Sequence, residues 1–252
     1  MLSPSPYPIR STIAKASTTV ACMNSPKSEF SLTWPVLAWL TVVLAGAVIP
    51  AISLMLLVDP AASEPLAQIG GPILALALMG AGIIGASAAG RFAIGLCLAL
   101  AVGAALILLA GLLGASPMPS LLPIALVFLI ASISFAARGA LFATSSAGKG
   151  WWIAVFVVAG EAAILLTAIA RPGALPDLLL ALLPAQWANM AIQNALGGAS
   201  VLAAIAPLIA LGGTAAATAL VTYLWPRRWP YLIMFSTWLA LSALVWHWPV
   251  AA

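Results

Sequence analysis

The chain has 252 residues, of which 64% are hydrophobic and only 6% are charged. Soluble domains are about 45–50% apolar and about 25% charged, and they need that charged surface to stay dissolved. The composition therefore excludes a soluble globular fold and predicts an all-α integral membrane protein, whose main partner is the lipid bilayer. The net charge of +4 comes from scattered bases without a basic, aromatic-rich patch, so we expect no nucleic-acid binding.

Residues 1–33 form a polar, basic tail rich in Ser, Thr and Pro, and residues 34–252 form the predicted transmembrane domain. The tail lacks the apolar core of about 7–15 residues that a secretory signal peptide needs. Three interpretations of the tail stay open. It is a disordered cytoplasmic segment, residues 1–22 are an organelle transit peptide, or translation begins at Met23 and not at Met1.

Seven apolar runs follow the tail, and each is long enough to cross about 30 Å of hydrocarbon. Proline, glycine and charged residues separate the runs, and these residues end a helix or turn the chain. The sequence therefore predicts a bundle of about seven transmembrane helices, at residues 34–58, 71–89, 92–114, 120–137, 151–170, 199–224 and 230–248.

The segment from Arg171 to Gly198 does not fit this pattern. Its apolar run, Leu178 to Leu183, is too short to span, and polar side chains follow it. We interpret it as a short interfacial or re-entrant segment before the sixth helix. The alternative, an eighth span at 176–196, would invert the orientation of everything that follows.

Basic residues predict the orientation of the bundle, because Lys and Arg concentrate on the cytoplasmic side of membrane proteins. With seven spans, all but one of the nine Lys and Arg residues fall on the side of the tail, and the exception is Arg171. The sequence therefore predicts a cytoplasmic N-terminus and an external C-terminus, in a bacterial inner (plasma) membrane. An organelle membrane is the alternative if residues 1–22 are a transit peptide.

Small residues predict where helices pack closely. Gly82, Ala86 and Gly90 recur at a spacing of four in the second predicted helix. Such a face lets two helix backbones approach each other. We interpret the pattern as helix packing within the bundle, with no implication for oligomeric state.

Glu161 is the candidate functional residue, because it lies about halfway along the fifth predicted helix. An acid at the bilayer centre costs about 2.5–3.5 kcal/mol on insertion scales unless it is paired, protonated or hydrated. The functional hypothesis is a proton or cation relay, or a ligand anchor, facing the bundle interior. The structural alternative is a protonated carboxyl that clasps a neighbouring helix. Arg138 is predicted near the cytoplasmic end of the fourth helix, too distant to be an obvious counter-ion.

A second candidate group lies before the sixth helix. Gln186, Asn189 and Gln193 share one helical face because of their spacings of three and four. The functional hypothesis is a solute vestibule on the outer side that includes Asn189 and Gln193. The simpler alternative is an interfacial helix lying flat, with Trp187 turned toward lipid.

No enzyme signature, metal-ligand cluster or nucleotide-binding loop is visible, so we expect no enzymatic activity, no metal and no cofactor. The leading hypothesis is a small proton- or ion-coupled solute transporter with Glu161 at the membrane midplane. The alternative is a non-catalytic subunit or assembly factor of a larger membrane complex, whose other subunits would be its partners. An intramembrane enzyme acting on lipid is the least favoured, because no acid/base pair lies within reach.

Overall fold

A computed structural model describes residues 30–57, 66–114, 121–146, 149–198 and 201–247 of the chain. The described residues are almost entirely helical and contain no strand. Most of the N-terminal tail, including the proposed transit peptide and Met23, lies outside these residues. Residues 58–65, 115–120, 147–148, 199–200 and 248–252 also lie outside them.

Seven helices in the described ranges are long and apolar enough to cross a membrane, which confirms the predicted all-α membrane bundle. The seven predicted spans are all present, and their ends differ from the predicted ones by at most three residues, apart from the end of the fourth. The spans are Trp34–Leu57, Gln68–Ala89, Phe92–Leu112, Leu121–Ser145, Gly150–Ala170, Leu202–Tyr223 and Trp229–His247. We call the side on which the first span begins the tail side, and the opposite one the far side.

Two of the spans contain a π-helical turn, at Leu44–Val48 in the first and at Gly80–Ile84 in the second. The first of these turns ends just before Pro50, which has no N–H to donate to the preceding turn. The two π-helical turns lie against each other. A Cβ added to Gly46 would lie 3.0 Å from Ala81 Cβ, and one added to Gly80 would lie 3.0 Å from the Ala45 carbonyl.

The second span is the centre of the bundle, since 89% of its most apolar stretch is buried, against 17–22% for the first, third, fifth and seventh spans. The predicted packing face accounts for this position. Gly82 lies against Phe135 of the fourth span, and Ala86 lies against Gly95 of the third. Gly90 has φ of +66° and ends the helix.

Between the fifth and sixth spans lie a short helix, Asp177–Ala181, and a longer one, Pro184–Leu196. The longer helix begins at mid-depth, because the Ala185 N–H donates to the carboxyl of Glu161, halfway along the fifth span. It ends on the far side, where Gln193 contacts Gly71 near the start of the second span. We call Pro184–Leu196 the re-entrant helix. Its 13 residues extend roughly 20 Å, too short to cross the bilayer.

Two sequence-based placements are wrong. The fourth span extends to Ser145, about two turns beyond the predicted end at 137, so Arg138 lies within the helix and not in a loop. The sequence argument ended the span at its first charge, although no helix breaker stands there. Trp187 does not face lipid either, since its side chain is 0% exposed and its Nε1–H donates to the Ala181 carbonyl at 2.8 Å.

At Gly139 the fourth span lies close against the backbone of the second, and this contact gives a test of the packing. A Cβ at Gly139 would overlap the Ile83 carbonyl oxygen and lie 2.7 Å from Ala86 Cβ. We expect Gly139→Ala to destabilise the purified protein by about 1–3 kcal/mol, because backbone must shift. The measurement is reversible unfolding in mixed micelles. The matched control is Gly160→Ala, where the added Cβ meets nothing within 4 Å, so equal effects would contradict the packing.

Candidate functional site

A cleft of about 370 Å³ lies between the fifth and seventh spans, in the half of the bundle nearer the tail side. The fourth and sixth spans form its floor, and Pro184 at the start of the re-entrant helix closes its deep end. The charged residues on its walls are Arg138 and Glu161. The rest of its lining is apolar or hydroxylic: Leu141, Phe142, Val157, Pro184, Thr214, Thr218, Met234, Phe235 and Trp238.

Glu161 is held at the amino end of the re-entrant helix. Its Oε2 accepts a hydrogen bond of 2.9 Å from the Ala185 N–H. The first N–H groups of a helix have no partner within the helix and carry a partial positive charge, so a carboxyl is a favourable acceptor there. Pro184 begins the helix without an N–H of its own, which leaves Ala185 among the first donors.

Arg138 supplies the positive charge of the cleft. Its Nη2 donates to Thr214 Oγ1 at 3.3 Å, and that hydroxyl in turn donates to the Ala210 carbonyl at 2.8 Å. The guanidinium also lies 5.8 Å from the ring centroid of Phe135. Its Nη1 is buried and has no hydrogen-bond partner. A guanidinium carries five N–H groups, so Arg138 keeps donors to spare.

Arg138 and Glu161 interact electrostatically across the cleft. In the described part of the chain, however, neither side chain forms a direct hydrogen bond with the other: Glu161 binds Ala185 and Arg138 binds Thr214. At membrane depth such an opposite charge offsets part of the cost of each buried group. The arrangement therefore places an acid and a base on the walls of one cleft without a direct bond between them.

The cleft faces the side of the bundle as well as its interior. The seventh span packs on the sixth, and the fifth packs on the fourth, with no extended packing between the fifth and seventh in the described ranges. Phe235 on the seventh span is 55% exposed, and Val157 and Glu161 on the fifth are half-buried. A molecule in the bilayer can therefore reach the pair between these two helices.

A second cavity, of about 410 Å³, lies on the far side of the re-entrant helix. Its polar lining comes from Asp177 on the short helix and from Gln186, Gln193 and Asn194 on the re-entrant helix. Trp246 and Val245 close it from the end of the seventh span. This cavity is more polar than the cleft, as expected for a surface that meets water.

The two cavities share the first turn of the re-entrant helix as a wall. Pro184 lines the cleft and Gln186, two residues further on, lines the far-side cavity. The first turn of the re-entrant helix therefore separates them, and this turn is the one that Glu161 holds through Ala185. We call Pro184–Gln186 the septum.

The sequence-predicted site residues do not form one site. Glu161 lines the cleft, whereas Gln193 lines the far-side cavity with Gln186. Asn189 is in neither lining, faces Gly71 of the second span and is only 4% exposed; its Nδ2 donates to Gln186 Oε1 at 3.1 Å, and its Oδ1 is buried without a partner. A vestibule role for Asn189 and Gln193 stays a prediction.

Arg138 is the residue of the site that the sequence argument missed. The sequence did carry a signal for it. Between Ala137 and Ser145 there is no proline and only a single glycine, Gly139, so the helix could continue past the charge. Of the hydroxyl groups nearby, Thr214 binds Arg138, and Thr167 bonds within its own helix to the Ala163 carbonyl. Ser132 and Ser134 are buried on the fourth span without hydrogen-bond partners.

Comparisons with protein-family models, with curated proteins and with solved structures give no significant match to this chain. The chemistry of the site must therefore be argued from its own residues.

The charge balance of the cleft gives a prediction about stability. Glu161→Leu removes the acceptor of the Ala185 N–H and leaves Arg138 without its opposite charge, at a cost of about 3–5 kcal/mol. We expect Glu161→Gln to cost less, since its amide oxygen can still accept that bond. The double variant Arg138→Met, Glu161→Leu should regain part of the loss, because no isolated charge remains.

Unfolding in mixed micelles of the parent, Arg138→Met, Glu161→Leu and the double variant gives a double-mutant cycle. The control pairs Glu161→Leu with Arg171→Met, because Arg171 is an exposed residue outside the spans. Strict additivity of the Arg138 and Glu161 effects, as in the control pair, would contradict an electrostatic interaction across the cleft.

Proposed function

We propose that this multi-pass membrane protein is a small proton-coupled solute transporter in which Glu161 is the proton-carrying group. The observation that carries the proposal is the position of that carboxyl. It lies at membrane mid-depth, on the wall of the cleft, and it binds the septum that separates the cleft from the far-side cavity.

Two cavities on opposite sides of a thin barrier fit the requirement of alternating access. Transporters place their binding sites near the midplane, at broken or re-entrant helices, and open them to one side at a time. Here the barrier is one helical turn, so a small shift of the re-entrant helix would join one cavity to the other. A transporter of this kind needs no separate soluble domain.

The bond between Glu161 and Ala185 links protonation to that shift. An ionised carboxylate accepts a stronger hydrogen bond from an amide than a neutral carboxyl does. Proton binding to Glu161 therefore weakens its hold on the septum, and loss of the proton restores it. Glu161 both receives the proton and holds the septum closed. Coupling of proton binding to opening of the barrier requires such a shared group.

Within this proposal the tail side is cytoplasmic and the far side is external, as in a bacterial inner membrane. The described bases outside the spans support this, since Arg91, Lys149, Arg227 and Arg228 lie on the tail side and Arg171 lies on the far side. Arg138 lies within a span and no longer counts as a loop residue, but the bases still concentrate on the tail side.

Transport is tested in proteoliposomes that contain an entrapped pH indicator. A panel of small organic anions, cations and neutral solutes is added in the presence of a proton gradient, and proton entry is recorded for each. We expect at least one class of solute to drive proton entry, and we expect Glu161→Gln to reduce that rate at least about tenfold, because an amide cannot carry the proton.

The matched control is Arg171→Gln, a charge-to-amide change at an exposed residue outside the spans and outside both cavities, which should leave proton entry within about twofold of the parent protein. Equal insertion and yield of both variants, measured by native mass spectrometry, exclude a folding defect. The proposal fails if no solute drives proton entry, or if Glu161→Gln transports protons as the parent does. A stoichiometric partner chain in the same mass spectrum, together with no flux, would favour the subunit hypothesis.

A further inference from the structure

The cleft has a chemical character that the proposed function leaves open, namely one positive group set in an apolar channel. Arg138 makes one recorded hydrogen bond from its guanidinium, to Thr214, and its buried Nη1 has none. A buried donor without a partner is costly, and native structures seldom retain one without a ligand or water to occupy it. The buried Nη1 has almost no accessible surface, but Arg138 lies on the wall of the cleft, and a guanidinium on an otherwise apolar wall favours an anionic ligand.

The amino end of the re-entrant helix adds to that selectivity. Its 13 residues direct their first N–H groups at the deep end of the cleft, where Glu161 now accepts the bond from Ala185. Glu161 therefore occupies the position that favours negative charge, between a helix amino terminus and a guanidinium. When it is ionised, Glu161 therefore occupies the place that an anionic ligand would take.

The remainder of the cleft suits an apolar chain. Met234, Phe235 and Trp238 line the seventh-span wall, and Leu141 and Phe142 line the floor. The wall at Phe235 opens toward the bilayer, as described above. A volume of about 370 Å³ is at the small end of the range for drug-sized ligands, which fits a small head and one chain.

We propose that the solute is a single-chain organic anion, whose head binds Arg138 and whose apolar tail lies against Met234, Phe235 and Trp238, and that it enters only when Glu161 is protonated. This inference rests on the proposed function and names the substrate class of the same site. One guanidinium in a low-dielectric cleft cannot balance two anions at once, so the solute and the ionised Glu161 exclude each other.

No other titratable side chain interferes with this exchange. The fifth span packs against the first, second and fourth spans and the re-entrant helix, and in their described residues Arg138 is the only charged group facing Glu161. The cleft walls from the sixth and seventh spans contribute Thr214, Thr218, Met234, Phe235 and Trp238, none of which titrates near neutral pH. The proton that admits the anion is therefore the one on Glu161.

The charge balance of the transport step follows. One proton binds a Glu161 carboxylate oxygen and one monovalent anion binds Arg138, so the loaded cleft carries the same net charge as the empty one. The two move together, and the step is electroneutral. A membrane potential of 100 mV, which would change the driving ratio for one uncompensated charge by about 50-fold, should have little effect on the rate.

Binding is tested first, with octanesulfonate as the probe, because its head stays ionised and cannot cross the bilayer as a neutral acid. The protein is placed in nanodiscs of zwitterionic lipid and titrated calorimetrically. We expect binding that strengthens as the pH falls. Glu161→Gln should bind at least about tenfold more tightly near neutral pH and lose the pH dependence, since the competing carboxylate is gone.

Arg138→Gln should abolish binding, and Arg171→Gln, which removes an exposed charge outside the cleft, should leave it within about twofold. If Arg138→Gln does not fold, the gain of affinity in Glu161→Gln still decides the matter. Inorganic sulfate, which has no tail, and octyltrimethylammonium, which has the opposite charge, should not compete. Competition by either would overturn the inference, as would displacement of the probe by an anionic two-chain lipid.

A transport measurement in proteoliposomes distinguishes failure of this inference from failure of the proposed function. Octanesulfonate should drive proton entry into proteoliposomes, and a potassium diffusion potential set by valinomycin should leave its initial rate within about twofold. Proton entry driven by cations or neutral solutes but not by octanesulfonate would overturn the anion inference and leave the transporter proposal standing. Absence of proton entry with every solute would overturn both.

Discussion

The hydrogen bond from the Ala185 N–H to the Glu161 carboxyl is the interaction on which the interior of this bundle depends. A re-entrant helix exposes unpaired N–H groups at its amino end, and in hydrocarbon no water is available to satisfy them. Glu161 supplies the acceptor at that depth. The same bond explains why a carboxyl stands in the middle of an otherwise apolar helix, because only such a group both accepts the bond and complements the helix dipole.

The charge of Glu161 is tolerated because other parts of the fold converge on it. Arg138 reaches the cleft from the fourth span, which lies close to the second span where Gly139 packs on Ile83. The fold therefore brings an acid and a base together from segments that are separated by a turn. The second span, buried at the centre, carries no charge itself and serves as the surface against which both neighbouring helices are positioned.

Hydrophobic run length was sufficient to predict the seven spans, because a polypeptide in lipid must satisfy its backbone within each segment. The segment 171–198 was predicted as interfacial or re-entrant for the same reason, since its apolar run was too short. Depth was harder to predict. The sequence does not reveal that the Pro184 turn lies at the midplane, because the acceptor that holds it, Glu161, is on another helix.

Arg138 and Trp187 were both placed wrongly because their residue types alone do not reveal their tertiary partners. Arg138 was assigned to a loop because charge usually ends a span, yet Thr214, Phe135 and Glu161 make its burial tolerable. Trp187 was assigned to the interface because tryptophan is common there. It is buried instead, because the Ala181 carbonyl in the preceding turn accepts its Nε1–H. In both residues the deciding partner comes from tertiary structure.

The aromatic cluster at the tail side determines how the fifth span can move. Trp34 of the first span lies edge-on to Trp151 and Trp152, which stack on each other at 4.4 Å at the base of the fifth span. Rings at the interface resist a change of depth, so that end of the helix behaves as a pivot. Glu161 lies roughly 14 Å along the helix from it, and a tilt of about 10° would displace the carboxyl by roughly 2.5 Å, enough to break its hydrogen bond to Ala185. A tilt of the fifth span about its tryptophans would therefore move Glu161 relative to the re-entrant helix while the tail-side end of the span stays in place.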